Sequence, residues 1–207
     1  MTIQQINYDA WWIWYVTWIA AVIFSARTKV QNGRDAFSPG RLLFGIGFIL
    51  VLVPSSYWLK IPGGAPATAL ARPLWTAPDL LNWVLFGLVL AGFAFCWWAR
   101  LHLGKLWSGL TTLKEGHYIV DTGPYGIVRH PIYSGILFSA LMSAGLNATV
   151  VAALGFVSAT FGLAMIARIE ERFLREQLGA GAYAAYAARV PMLVPTWLGG
   201  PVSSVSS

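Results

Sequence analysis

Charge is what this chain has least of. Only 11% of its 207 residues are charged, where a soluble globular domain carries about 25%. A conventional charged surface is therefore excluded. With 57% hydrophobic residues and a mean hydropathy of +0.62, the chain falls in the membrane class, with room for one membrane domain and no separate soluble one. Cysteine is as scarce. Cys96 stands alone in an apolar run, which excludes an intramolecular disulfide and a multi-cysteine metal site and leaves it as a small core residue. HExxH, GxSxG, GxxxxGK[ST] and GxGxxG are all missing, so zincin, serine-hydrolase, P-loop and soluble dinucleotide folds have no support. His102, His117 and His130 are spread without ligand spacing, and no metal site is expected. The net charge of +6 is not a nucleic-acid footprint, because the basic residues do not cluster with stacking aromatics.

Long apolar runs are what the chain has instead. Tyr8–Ala26, Leu42–Leu59, Leu80–Ala99, Ile132–Leu146 and Thr149–Ala167 predict five helices of about bilayer-spanning length. Trp11, Trp12, Trp14 and Tyr15 at the start of the first read as an interfacial aromatic belt. Pro54 is expected to kink or shorten the second. Pro- and Gly-rich Lys60–Asp79 reads as a loop, Arg100–Leu113 as an extension of the third helix, and Asn147 as the break between the last two. Ser139, Ala140, Ser143 and Ala144 give the small-xxx-small spacing that lets membrane helices approach closely.

Charge sets the expected topology. Twelve of the fourteen Lys and Arg residues lie in three segments. Arg27, Lys29, Arg34 and Arg41 are in the first loop. Arg100, Lys105, Lys114 and Arg129 are in the third, and Arg168, Arg172, Arg175 and Arg189 follow the last span. The positive-inside rule then places the N-terminus outside and these segments in the cytoplasm.

Two polar clusters share that side. One is His117–Gly135, HYIVDTGPYGIVRHPIYSG, a turn-rich stretch that is costly against a bilayer unless it lines a site. Pro131 suits the first turn of a helix, and Arg129 with His130 just before it could hold an anion. The other, Arg168–Arg189, brings Glu170 and Glu171, with Glu171 and Arg175 at pairing distance i,i+4. Tyr183 and Tyr186 could face a shared site or anchor the interface. An isolated juxtamembrane arginine reads as gripping lipid headgroups; beside His130, Tyr133, Tyr125 and two glycine-containing turns, Arg129 reads as part of a site.

GPYGIVRHPIYSG resembles the RHPxYxG element of the integral-membrane methyltransferases typified by isoprenylcysteine carboxyl methyltransferase, a pattern related to that of phospholipid methyltransferases. Glu170, Glu171, Tyr183, Tyr186, Arg189, Val190 and Pro191 resemble the family's second element, and His117, Val120, Gly123 and Tyr125 its upstream part. The likeness covers Lys114 to Pro195. It implies an all-α polytopic membrane bundle of about five helices with a cytoplasmic-side pocket for S-adenosylmethionine. On this resemblance His117, Val120 and Gly123 frame the adenosine, and Tyr125, His130 and Tyr133 contact the methionine part. Glu171 is counted with both the cofactor and the catalytic groups. Arg129 with Glu170 or Glu171 would orient a lipidic or small apolar acceptor arriving through the bilayer. The expected division is three N-terminal spans over 1–113, a cofactor and catalytic region over 114–195, and a disordered tail over 196–207. Two alternatives stay open: an NADPH-dependent reductase of sterol-reductase type and a non-catalytic membrane scaffold.

Overall fold

A computed structural model of the chain describes residues 1–24, 28–31, 38–53, 69–108, 112–114 and 118–195. His117, Pro54, residues 60–68 of the expected 60–79 loop and the 196–207 tail lie outside them. Six α-helices form among the described residues: α1 (Ile3–Ala20), α2 (Pro39–Leu52), α3 (Asp79–Leu103), α4 (Pro131–Asn147), α5 (Val150–Leu178) and α6 (Ala180–Arg189). α1 begins ahead of the expected Tyr8 because Thr2 caps it, its side chain accepting from the Gln5 amide. α3 does not run on to Leu113. Gly104 at φ +57° closes it, and a single 3-10 turn follows over Gly104–Leu106. α5 carries the predicted last span eleven residues further, through both glutamates to Leu178.

The all-α expectation needs one correction. β1 (Thr28–Gln31) and β2 (Thr112–Lys114) form a two-stranded antiparallel ladder, with Thr28 opposite Lys114 and Gln31 opposite Thr112. Both are short segments beyond the apolar runs, and pairing satisfies their backbone groups where no helix continues.

Two helices among the described residues, Asp79–Leu106 and Val150–Leu178, are long and apolar enough to cross a membrane. The fourteen residues of α2 reach only about 21 Å at 1.5 Å per residue, so the helix stops short of the predicted span. α2 lies along α5, and α3 along α4. The two seams are made of missing side chains. A Cβ on Gly155 would come within 2.7 Å of the Gly47 carbonyl, and one on Gly135 within 2.5 Å of the Cys96 sulfur. The predicted serine stripe is used as well: Ser139 donates to the Val89 carbonyl across the α3–α4 seam, and Ser143 to the Asn7 side chain of α1.

The expected aromatic belt splits in two. Trp12 and Tyr15 are exposed, whereas Trp11 is 2% exposed and Trp14 is also buried. With Trp18, Phe93 and Trp107 they form an aromatic core between α1 and α3. Helical periodicity forces this, since residues three and four apart share a face and their neighbours do not. α4 and α5 join through Ala148 in the left-handed region and Thr149, which caps α5 by accepting from Ala152. That is the tight break expected at Asn147.

Candidate functional site

His130 precedes Pro131 and is held out of helical geometry, at φ −123° and ψ 65°. Its backbone is thereby free to pair sideways. The amides of Arg129 and His130 donate to the carbonyls of Pro191 and Met192 at 2.8 and 3.1 Å. Ser134 adds a hydroxyl bond of 2.6 Å to the Leu193 carbonyl. The chain leaving α6 is thus stitched along the start of α4, which brings the two polar clusters of the sequence into one place.

Side chains then close the knot. Arg129 Nε donates to Glu171 Oε1 at 2.7 Å, and Nη1 donates to the carbonyls of Ala187 and Val190 at the end of α6. A guanidinium on the last carbonyls of a helix satisfies acceptors that no amide reaches and complements the helix dipole. His130 Nε2 lies 3.1 Å from the same Glu171 oxygen; a carboxylate only accepts, so the pairing assigns the ring proton to Nε2. Arg175 reaches the other Glu171 oxygen at 3.5 Å, the pair its i,i+4 spacing predicts.

The two glutamates are not equivalent. The Glu171 side chain is 8% exposed and committed to Arg129, His130 and Arg175, whereas that of Glu170 is 32% exposed. Glu170 accepts a 2.9 Å bond from the Tyr133 hydroxyl. His130 Nδ1 sits 3.7 Å from its Oε2, beyond hydrogen-bond reach. Tyr133 stacks parallel to the His130 ring with centroids 5.3 Å apart.

These groups face a half-open cleft of about 110 Å³. Val120, Tyr125, Arg129, His130, Tyr133 and Glu170 line it; Gly123 and Glu171 stand behind it. Tyr183 and Tyr186 also line it and are buried, so of their two readings the inward-facing one describes their position. Tyr186 donates to the Tyr125 carbonyl at 2.7 Å. Burial pushes the hydroxyls of Tyr125, Tyr183 and Tyr186 well up, and all three stay neutral at physiological pH. Leu103, Leu106, Ile132, Leu174 and Leu178 add an apolar part to the lining.

Two supporting residues carry no motif and were missed in sequence. His102, on α3, lies 2.9 Å from Thr122 Oγ1, and a Cβ on Gly123 would come within 2.7 Å of its ring. Gly123, at φ +57°, therefore makes room for the imidazole as well as for the turn. Trp107 forms part of the cleft wall. Neither has a spacing signal, because each meets the site from another element.

Over 126 residues, the chain is 32% identical to the "Cobalt-zinc-cadmium resistance protein CzcN" of Cupriavidus metallidurans, covering 58% of this chain and 51% of that protein. The chain thus spans about half the length of that relative. A family model described as the isoprenylcysteine carboxyl methyltransferase (ICMT) family matches residues 84–176. That match starts upstream of the motifs, inside α3, and ends after Glu170 and Glu171 but before Tyr183. The resemblance carried by the RHPxYxG element thus extends over most of α3, α4 and α5, where residues 84–176 match the ICMT family model.

Proposed function

We propose that this protein is an S-adenosylmethionine-dependent methyltransferase of the membrane, acting on an apolar or lipidic acceptor. The observation that carries this reading is the knot itself: both polar clusters meet on one cleft, whose lining carries both ionisable and apolar side chains. The residues fit such a cofactor. A sulfonium is a cation, and the neutral ring faces of Tyr125, Tyr133, Tyr183 and Tyr186 attract cations. When bound, S-adenosylmethionine supplies a methyl group on that sulfonium.

The protein's part is positioning and exclusion of water. Val120, Tyr125 and Tyr133 offer surface to the cofactor, and His117 and Gly123 keep the adenosine-framing roles the resemblance gives them. Arg129 and Glu171 fix the His130 ring and the end of α6. Glu170 presents the accessible carboxylate. Held by Tyr133, it is placed to orient the acceptor and, where that acceptor is an amine or a thiol, to take its proton. Arg129 lines the cleft and would serve a carboxylate acceptor. Five spans, a cofactor site in the cytoplasm and, in a bacterium, the inner membrane complete the proposal, on the distribution of Lys and Arg. The leucines of the lining suit an acceptor entering from lipid.

Titration calorimetry of detergent-purified protein with S-adenosylhomocysteine, run beside NADPH, tests this reading. Micromolar binding of the first alone is expected. Binding of NADPH alone would overturn the proposal in favour of a reductase. Binding of neither by folded protein would favour the scaffold.

A further inference from the structure

Arg100 belongs to neither motif, yet it is among the most buried charges described, at 4% exposure. It sits near the end of α3. Its Nη2 donates to the carbonyl of Ala21, the residue that caps α1. Its guanidinium carbon lies over the Trp107 ring, 3.5 Å from the centroid, and 5.6 Å from that of Trp18. Its Nε is buried and has no partner among the described residues. Trp18 and Trp107 meet edge to face, with centroids 5.5 Å apart.

A buried cation held by one carbonyl and two indoles is an expensive way to fill space, since a hydrocarbon side chain would fill it without desolvating a charge. What the guanidinium adds is direction. It binds the face of one indole and the end of one helix together, and a planar cation fixes a ring that an aliphatic group would leave free to tilt. The ring it fixes is a wall of the cleft. α1 itself contributes no described residue to the lining, so it reaches the site through Trp107, which Trp18 meets edge-on and Arg100 ties to Ala21.

We propose that Arg100 is a positioning residue that sets the Trp107 indole as a fixed wall of the cleft and couples α1 to it. That the ligand on this wall is the methyl donor rests on the function proposed above; the fixing of Trp107 does not.

The test uses full-length protein labelled with fluorotryptophan, the Trp107 fluorine signal being assigned by its loss in Trp107→Phe. Wild type is expected to give one sharp Trp107 line without ligand. Arg100→Met should broaden or split it, and Arg100→Lys should restore it in part. The affinity for S-adenosylhomocysteine should fall on the order of tenfold in Arg100→Met, the scale of a desolvated cation–π contact. The same change made in Trp107→Phe should cost little more, because the two act through one ring. An unchanged Trp107 line in Arg100→Met, or losses that simply add, would overturn the proposal. If Arg100→Met does not fold, Arg100→Lys is compared with wild type in the same way. A wild type that binds no S-adenosylhomocysteine sinks the methyltransferase reading and leaves the fluorine signal to decide this one.

Discussion

The α2–α5 seam and the Arg129–Glu171 knot hold α5 to its neighbours by opposite means. Along the seam, Gly40 lies against Gly162 and Gly47 against Gly155, and backbone meets backbone at both points. In the knot, Arg129, His130 and Arg175 converge on one carboxylate. Close approach by small residues is the packing available between helices in lipid, where apolar surface gains nothing by turning inward. At the polar end, charges can be desolvated because each finds a partner. The seam should therefore fail when volume is added, and the knot when a partner is removed.

The largest effect is expected at the seam. A Cβ at Gly162 already overlaps the backbone nitrogen of Phe44 and comes within 2.6 Å of the Gly40 carbonyl. Neither can rotate away, so Gly162→Leu should destabilise by about 3 kcal/mol or more, at or above the upper end of overpacking. The readout is the monodisperse fraction and thermal midpoint of the purified protein. A variant with wild-type behaviour would show that the seam is looser than its geometry.

Removing a partner comes next. Arg129→Ala removes the closest partner of Glu171, leaving it His130 and Arg175, and frees two carbonyls at the end of α6. A loss of about 3 kcal/mol is expected, the scale for breaking a buried pair from one side. The double variant Arg129→Ala, Glu171→Ala should lose less than the sum of the two single changes, because the second removes the carboxylate that has lost its closest partner. Additive losses in denaturant titrations would mean that the pair contributes no coupling.

A smaller effect separates hydrogen bonding from charge within the knot. Tyr186→Phe removes the bond to the Tyr125 carbonyl and should cost about 1 kcal/mol. Burial raises the Tyr186 hydroxyl above the usual value of about 10. A raised folded-state value means that its contribution is fully present below the unfolded value and is lost only as the pH climbs through the folded one. The difference between wild type and Tyr186→Phe should therefore be constant from about pH 6 to pH 9. A difference that varied across that window would assign the coupling to another group.

Much of the knot was legible in sequence because proline and charge mark it directly. Pro131 opens α4, Asn147 closes it, and Glu171 finds Arg175 one turn away. The seam was harder to read. Gly40 and Gly47, like Gly155 and Gly162, are seven residues apart on separate helices, and nothing local says which helix meets which. Trp11 and Trp14 read as a belt because composition ignores the face, and the packing of α1 on α3 buried them. The β1–β2 ladder joins polar segments eighty residues apart, beyond any pattern of period two. Arg100 looked like a topological charge at a helix end, and only its burial against Trp107 shows otherwise. What escaped the sequence is mostly contact between elements; what it carried is local chemistry.

The glutamates bring the comparison down to adjacent residues. Glu171 belongs to the knot and Glu170 to the cleft, although they share one turn of α5. Glu170→Gln keeps an oxygen for the Tyr133 hydroxyl, and its effect on stability should stay within about 0.5 kcal/mol. Its effect on methyl incorporation from labelled S-adenosylmethionine into membrane extracts should be far larger, about 10²–10⁴-fold, if the carboxylate takes a proton in the transition state. Glu171→Gln should do the reverse, loosening the fold and weakening binding of S-adenosylhomocysteine before any chemistry occurs. A Glu170→Gln protein with full turnover would point to an acceptor that has no proton to lose, which is a carboxylate, and would move attention to Arg129. Full turnover in Glu171→Gln would instead mean that the knot can lose its central charge and still hold the cleft in shape.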